Sequence, residues 1–244
     1  MTTFATALRS SLGKKYLMGF TGLVWVGFTV GHLIGNLLLF AGREPFNAYA
    51  YFLESLGHGM AIYVAEGALI ATLAIHVING IQVGLADKSA ARPVGYAMSG
   101  NAGGRSRKSL ASKNMIWTGS LILAFLVLHI ATFKFAHLWG PVEQFKLHDG
   151  TQVKDLYGVV VTRFSYGPYV LIYTVAMAML GMHLSHGIWS AFQSLGLLTK
   201  KTFPLAVSLG TVAAALLTVG FLMLPLTIFV LNQTFQNGPG GLHL

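Results

Sequence analysis

YLMGFTGLVWVGFTVGHLIGNLLLF, residues 16–40, contains no acidic side chain, no lysine and no arginine. A helix of that length rises about 37 Å, more than the roughly 30 Å of hydrocarbon in a bilayer, so the stretch is long enough to cross a membrane. It also holds one histidine, His32. Imidazole inside hydrocarbon is costly unless it is paired or ligated, which makes His32 a functional candidate from the outset.

The same absence of charge recurs along the chain. Lys113 and Lys134 enclose twenty uncharged residues, Arg163 and Lys200 enclose thirty-six, and between Glu54 and Asp87 only Glu66 interrupts the apolar run. Beyond Lys201 the only titratable side chain is His243. Five spanning helices are expected, over about 16–40, 61–86, 114–137, 168–195 and 204–231, with Pro225 kinking the fifth. The first is too long for a cleaved signal peptide and lacks an A-x-A-like site. Of all 244 residues only 9% are charged while 54% are apolar, and the mean hydropathy is +0.64. A soluble surface needs roughly a quarter of its residues charged, so a cytosolic enzyme, a disordered chain and a secreted disulfide scaffold are excluded together. With no cysteine in the chain, thiolate metal sites, iron–sulfur clusters and CxxCH attachment are excluded too, and metal chemistry falls to the histidines.

The net charge of +9 is a matter of placement. Eleven basic residues (Arg9, Lys14, Lys15, Lys88, Arg92, Arg105, Arg107, Lys108, Lys113, Lys200, Lys201) precede helix 1 or lie between helices 2 and 3 or 4 and 5, against the single acid Asp87. The opposite side carries five basic residues and, with Glu66 inside helix 2 set apart, five acidic ones. The positive-inside rule puts the N-terminus in the cytoplasm and the C-terminus outside. The basic run from Arg105 to Lys113 reads first as topology and contact with anionic membrane lipid, then as a docking face for a peripheral subunit, and not as a nucleic-acid site. A single membrane domain is expected over 1–244, with a short interfacial helix within 41–60, a flexible cytoplasmic loop at 87–113, a polar outer loop at 138–167 and a disordered tail at 234–244.

Helices 1 to 4 each carry one histidine well inside the apolar span: His32, His76, His129 and His183. Helices 1 and 3 run outward, placing His32 and His129 ~5 Å to the outer side of mid-span at 1.5 Å per residue. Helices 2 and 4 run inward, placing His76 and His183 ~4 Å to the inner side by the same rise. Two bis-imidazole pairs at two levels of a four-helix bundle are what two b-type haems require, since each iron takes axial ligands from opposite faces of its ring. Zinc would want three or four ligands about one point.

An internal repeat points the same way. Met18, Thr21, Gly22 and His32 recur as Met115, Thr118, Gly119 and His129 at a constant offset of 97, and His76, Gly80 and Ile81 recur as His183, Gly187 and Ile188 at an offset of 107. A pseudo-two-fold axis along the membrane normal relating helices 1–2 to helices 3–4 is therefore expected. The fold class is an all-α integral membrane protein whose first four helices form a haem-binding bundle with a two-helix pseudo-repeat.

Other residues weigh less. His186 shares roughly the face of His183 and is the alternative ligand, although the repeat aligns His183 with His76. His58, His137, His148 and His243 fall in or near outer loops and are expected to be solvated. Glu66 lies about ten residues before His76, open to a proton-handling, quinone-contacting or structural role. Asn36, one turn after His32, is a candidate hydrogen-bond donor behind that ligand or a packing residue. Ser11, Lys15 and Trp117 are candidate quinone contacts near the inner side.

The stretches SSLGKKYLMGFTG, GHLIGNLLLFAGREPFNAY, IHVING, SRKSLASKNMIWTG leading to LHI, and HLSHGIWSAFQSLG, spread over residues 9 to about 200, together resemble the cytochrome b membrane-anchor subunit of succinate:quinone oxidoreductases, in its single-chain, five-helix, di-haem form. The resemblance implies that His32 and His129 hold the outer haem b and His76 and His183 the inner one. It implies a bacterial cytoplasmic membrane, and a flavoprotein and an iron–sulfur subunit docked on the cytoplasmic face. It further implies electron flow from succinate to a quinone, typically menaquinone, with room for an oligomer of the complex. In a fumarate-reducing relative a glutamate used for proton movement stands two residues before the fourth histidine; here that position is Gly181, and the direction of turnover stays open. Two other classes remain: a haem-free transporter or assembly factor whose histidines bind protons or metal, and a bc-type cytochrome b. The second places two histidines on each of two helices, unlike the one-per-helix pattern here.

Overall fold

The computed structural model describes residues 4–87 and 109–237. The basic residues from Lys88 to Lys108, most of the expected cytoplasmic loop, and His243 in the tail lie outside the described residues.

The described chain is almost wholly helical, and five helices are long and apolar enough to cross a membrane: Ser11–Ala41, Met60–Leu85, Met115–Phe133, Gly167–Ser194 and Phe203–Thr234. We number them spans 1 to 5. Their ends differ from the sequence expectation in ways that local chemistry explains. Span 1 begins at Ser11, before Lys14 and Lys15, because long basic side chains near a helix end extend toward the interface while their stems stay on apolar surface. Its α-helix stops at Asn36 and tightens into a 3₁₀ turn, Leu37–Ala41, ending at Gly42, whose φ of 111° breaks the helix. The helix of span 5 runs to Asn237, into the expected tail, and carries Pro225 in its interior.

The outer loop is more ordered than its polar composition suggested. Residues 138–167 contain an antiparallel pair of short strands, β1 (Gln144–Lys146) and β2 (Gln152–Lys154), with Phe145 opposite Val153. A helix, Leu156–Phe164, follows. The expected interfacial helix is present as Arg43–Ser55.

The chain divides into two compact units. One comprises Met1–Thr29, Gly67–Ser120 and Leu180–Leu216; the other comprises Val30–Glu66, Leu121–Met179 and Leu217–Leu244. In the first, helices approach through glycine. A Cβ at Gly19 would lie 3.3 Å from the Ala191 carbonyl oxygen, and one at Gly210 would meet Ile188 at 3.4 Å. Small residues of this kind let membrane helices pack closely without relying on a hydrophobic driving force.

The second unit has a denser core. Leu39, Phe46, Val160, Phe164, Val170, Tyr173 and Leu224 are all buried together, with Phe125, Phe133 and Tyr169 packed against them. A polar node ties the helix Arg43–Ser55 to the outer-loop structure. Asp155, 3% exposed, accepts from Arg43 Nε at 3.1 Å and Nη2 at 2.7 Å and from Asn47 Nδ2 at 2.7 Å. Asn47, 1% exposed, accepts in turn from the Tyr157 backbone N–H at 2.9 Å. Gly158 leaves room for the Asp155 carboxylate, which a Cβ there would strike. Burial alone would raise the Asp155 carboxyl, but hydrogen bonds from Arg43 and Asn47 outweigh it and hold the group below its ordinary value. The same bond to Asp155 pushes the Arg43 guanidinium up, and that guanidinium also lies 5.0 Å over the Phe145 ring.

Candidate functional site: two histidine pairs

The four intramembrane histidines come together in twos, one pair in each compact unit. In the first unit the rings of His76 and His183 are 6.3 Å apart between centroids with planes at 64°. In the second, His32 and His129 are 5.7 Å apart with planes at 85°. Among the described residues no group of three or more His, Asp and Glu gathers as a metal cluster. These are pairs, and pairs suit a group that brings its own equatorial ligands.

Three of these rings have a polar partner on Nδ1, and for His76 that partner fixes which nitrogen is bare. His76 Nδ1 lies 3.0 Å from the backbone oxygen of Met18. A carbonyl can only accept, so Nδ1 carries the proton and Nε2 keeps its lone pair. His183 Nδ1 lies 3.1 Å from Thr118 Oγ1. The carbonyls of Asn114 and Met115, at 3.0 and 3.2 Å, offer that hydroxyl's hydrogen an acceptor, which frees its oxygen to accept from His183 in the tautomer that leaves Nε2 bare. His129 Nδ1 lies 3.0 Å from the Tyr173 hydroxyl. Metal-bound histidines characteristically use their second nitrogen in this way, which orients the ring and raises its basicity.

The spans set these contacts through small residues. A Cβ on Gly22 would sit 3.1 Å from His76 Cε1, and one on Gly119 would sit 3.2 Å from His183 Cε1. Either addition would press on the imidazole, which would have to give by a few tenths of an ångström, so glycine at these positions lets the rings stand where they do. Thr21 and Thr118, both 2% exposed, turn their hydroxyls back to carbonyls of their own helices. The glycines one turn after the inner histidines differ: Gly80 meets Met18 Sδ at 3.7 Å, whereas Gly187 has no heavy atom near its absent Cβ.

The pair His32–His129 is set among aromatic rings. His129 has Phe133 at 5.3 Å and Phe125 at 5.8 Å, and His32 has Phe221 at 6.0 Å. Asn36 does not reach the His32 ring; its Nδ2 donates to the His32 backbone oxygen at 2.7 Å. That bond belongs to the helix. His186 turns its ring edge-on to Trp189 at 4.7 Å, and its buried Nδ1 has no hydrogen-bond partner. The ring facing His76 is that of His183.

Of the remaining candidates, Glu66 forms an ion pair with Lys134 in the second unit, both side chains partly exposed. Sequence reading had considered Glu66 without that cation. Ser11 and Lys15 are exposed in the first turns of span 1, and Trp117 is 72% exposed near the start of span 3. Of the outer histidines, His148 is highly exposed and paired with Glu44 at 3.0 Å, and His58 sits in a left-handed turn with φ of 56° between Gly57 and Gly59.

Two imidazoles binding one metal at about 2 Å each, with about 1.1 Å from nitrogen to ring centre, need centroids about 6 Å apart. Both pairs meet that separation, and three of the four histidines have a defined partner on Nδ1. The residues present fit bis-histidine ligation of haem iron.

Comparison with family models, with curated proteins and with solved structures returns no match, so the reading of this site rests on its own chemistry.

Proposed function

We propose that the chain is a di-haem cytochrome b that anchors a succinate:quinone oxidoreductase in a bacterial cytoplasmic membrane and delivers electrons to a quinone, menaquinone by resemblance. The observation that carries this reading is the pair of imidazole pairs at 5.7 and 6.3 Å, inside helices long and apolar enough to cross a membrane. His32 and His129 would hold one haem b, and His76 and His183 the other. Haem iron held between two imidazoles cycles between ferrous and ferric states and carries single electrons.

What the chain itself does is bind and orient. The Met18 carbonyl and the Thr118 hydroxyl lock the inner imidazoles in one tautomer, and the aromatic rings of the second unit keep water from His129. The repeat supports the arrangement, because Gly22 stands to His76 as Gly119 stands to His183. A flavoprotein and an iron–sulfur subunit on the basic cytoplasmic side belong to the same proposal, since a chain without cysteine cannot hold a cluster relay of its own. Glu66, with Lys134 beside it, is the chain's candidate for handling the protons of quinone chemistry.

The test is a haem count. Membrane-purified protein is expected to give a reducible b-type spectrum with two haems per chain by pyridine haemochrome; protein without haem sinks the proposal. His76→Ala is expected to leave one haem of two. Co-purification of a flavoprotein and an iron–sulfur protein, with haem reduced by succinate, would identify the complex.

A further inference from the structure

The hydroxyl of Tyr173 stands 3.0 Å from Nδ1 of His129, and the ring that carries it is 6% exposed. That ring is held on several sides. Phe125 and Phe164 pack edge-on at 4.8 and 4.9 Å, Phe133 lies at 6.1 Å, and Tyr169 stacks at 6.4 Å. A side chain so confined cannot swing away from its partner at little cost, and a buried phenol needs a hydrogen-bond partner.

A phenol can donate or accept, so the bond alone does not fix the proton. The neighbours differ in that respect. Tyr169 hydroxyl meets Thr132 Oγ1 at 3.1 Å, and Thr132 already donates to the Leu128 carbonyl at 2.8 Å, so Tyr169 is the donor there and is committed elsewhere. Tyr173 is thus the side chain in contact with Nδ1 of His129, and its role turns on which of the two groups donates. If it donated to Nδ1, the imidazole proton would sit on Nε2 and block ligation. If it accepts from Nδ1–H, Nε2 is bare. The repeat marks the position too: the offset of 107 that relates His76 to His183 also relates Glu66 to Tyr173, so both inward-running helices carry a polar side chain ten residues before their histidine.

We propose that Tyr173 is the positioning residue of the outer histidine pair, its phenol oxygen accepting the Nδ1–H of His129 and so fixing the ring and the tautomer that bind iron. This rests on the di-haem reading. Electron density donated through that bond raises the basicity of the imidazole and favours the ferric state. Removing the acceptor therefore moves the potential of that haem upward.

The experiment is a spectro-potentiometric titration with low-temperature EPR on the purified full chain carrying Tyr173→Phe, with Tyr169→Phe as control. In Tyr173→Phe one haem is expected to shift to higher potential with a moved low-spin EPR signal, and the other to stay in place. In Tyr169→Phe both potentials are expected to hold. If Tyr173→Phe loses one haem, Tyr173→Gln, whose amide oxygen restores an acceptor, is expected to recover it; failure of both variants to keep it overturns the role. Two haems with unmoved potentials and signals in Tyr173→Phe overturn it while leaving the di-haem reading intact. Wild-type protein without haem overturns both.

Discussion

Inside hydrocarbon a single hydrogen bond to an imidazole decides what that imidazole can do, and the two inner histidines receive theirs from unlike sources. His76 donates to a main-chain carbonyl, which no substitution removes, whereas His183 donates to the Thr118 hydroxyl. Thr118→Val is isosteric and leaves a buried Nδ1–H unpaired, at a cost of about 1–3 kcal/mol. If the pairs hold haem as proposed, roughly tenfold weaker retention of one haem is expected, measured by haem loss to an apoprotein acceptor. Thr21→Val, at the matching place in the repeat, removes a hydroxyl bonded only within its own helix and is expected to change retention by less than about twofold. Equal effects from the two would show that the contact to His183 is not what holds the ring. Most of these residues were visible in the sequence. The four histidines stood out because charge and polarity are otherwise so scarce around them, and Thr21, Gly22, Thr118 and Gly119 stood out as a repeat. Their roles were not legible, because which ring a glycine clears, or which hydroxyl meets which nitrogen, depends on contacts between helices more than fifty residues apart. The contacts of Tyr173 with His129 and of Lys134 with Glu66 likewise join distant stretches of the chain, 44 and 68 residues apart.

At the scale of elements, the five spans were the easiest to read, since apolar runs of about twenty residues or more with at most one charge have few other uses. The outer loop was the hardest. Its strands are three residues each, and its order depends on Asp155 meeting Arg43 and Asn47 from more than a hundred residues away. Asp155→Asn keeps the shape and removes the charge, and we expect about 1–3 kcal/mol of local destabilisation, less than a fully buried pair because Arg43 is half-exposed. Faster hydrogen exchange across residues 43–55 would register it; unchanged exchange would show that the node does not hold that helix. The sign with pH follows from the depressed carboxyl. Its contribution is complete above the unfolded value near 4 and is lost as pH falls through the lower folded value. Wild-type protein is therefore expected to keep the helix Arg43–Ser55 protected from pH 8 down to about 4 and to release it below, after correction for the intrinsic exchange rate.

At the scale of the whole molecule, each histidine pair draws one member from either half of the chain. His32 and His76 lie before residue 100, and His129 and His183 lie after it. Neither half contains a pair. Expressed separately, residues 1–100 and 101–244 are each expected to bind no haem with bis-histidine character, while co-expression is expected to restore two haems per reconstituted chain. A stable low-spin b-type spectrum from either half alone would contradict the pairing. This division was readable from the repeat in outline. The way each compact unit gathers three separate stretches was not, since nothing in a hydropathy pattern says where a long helix passes from one packed unit to another.

That threefold patchwork bears on how the protein is made. His129 is translated 97 residues after His32, and His183 follows His76 by 107. At synthesis rates of about 5–20 residues per second, each first histidine waits on the order of 5–20 s for its partner. The pair His32–His129 has both members while spans 4 and 5 are still unsynthesised; the pair His76–His183 has both only when His183 arrives. The two imidazoles of each pair therefore meet in a set order, His32 with His129 before His76 with His183, while Tyr173 and Phe221 reach the first pair only with spans 4 and 5.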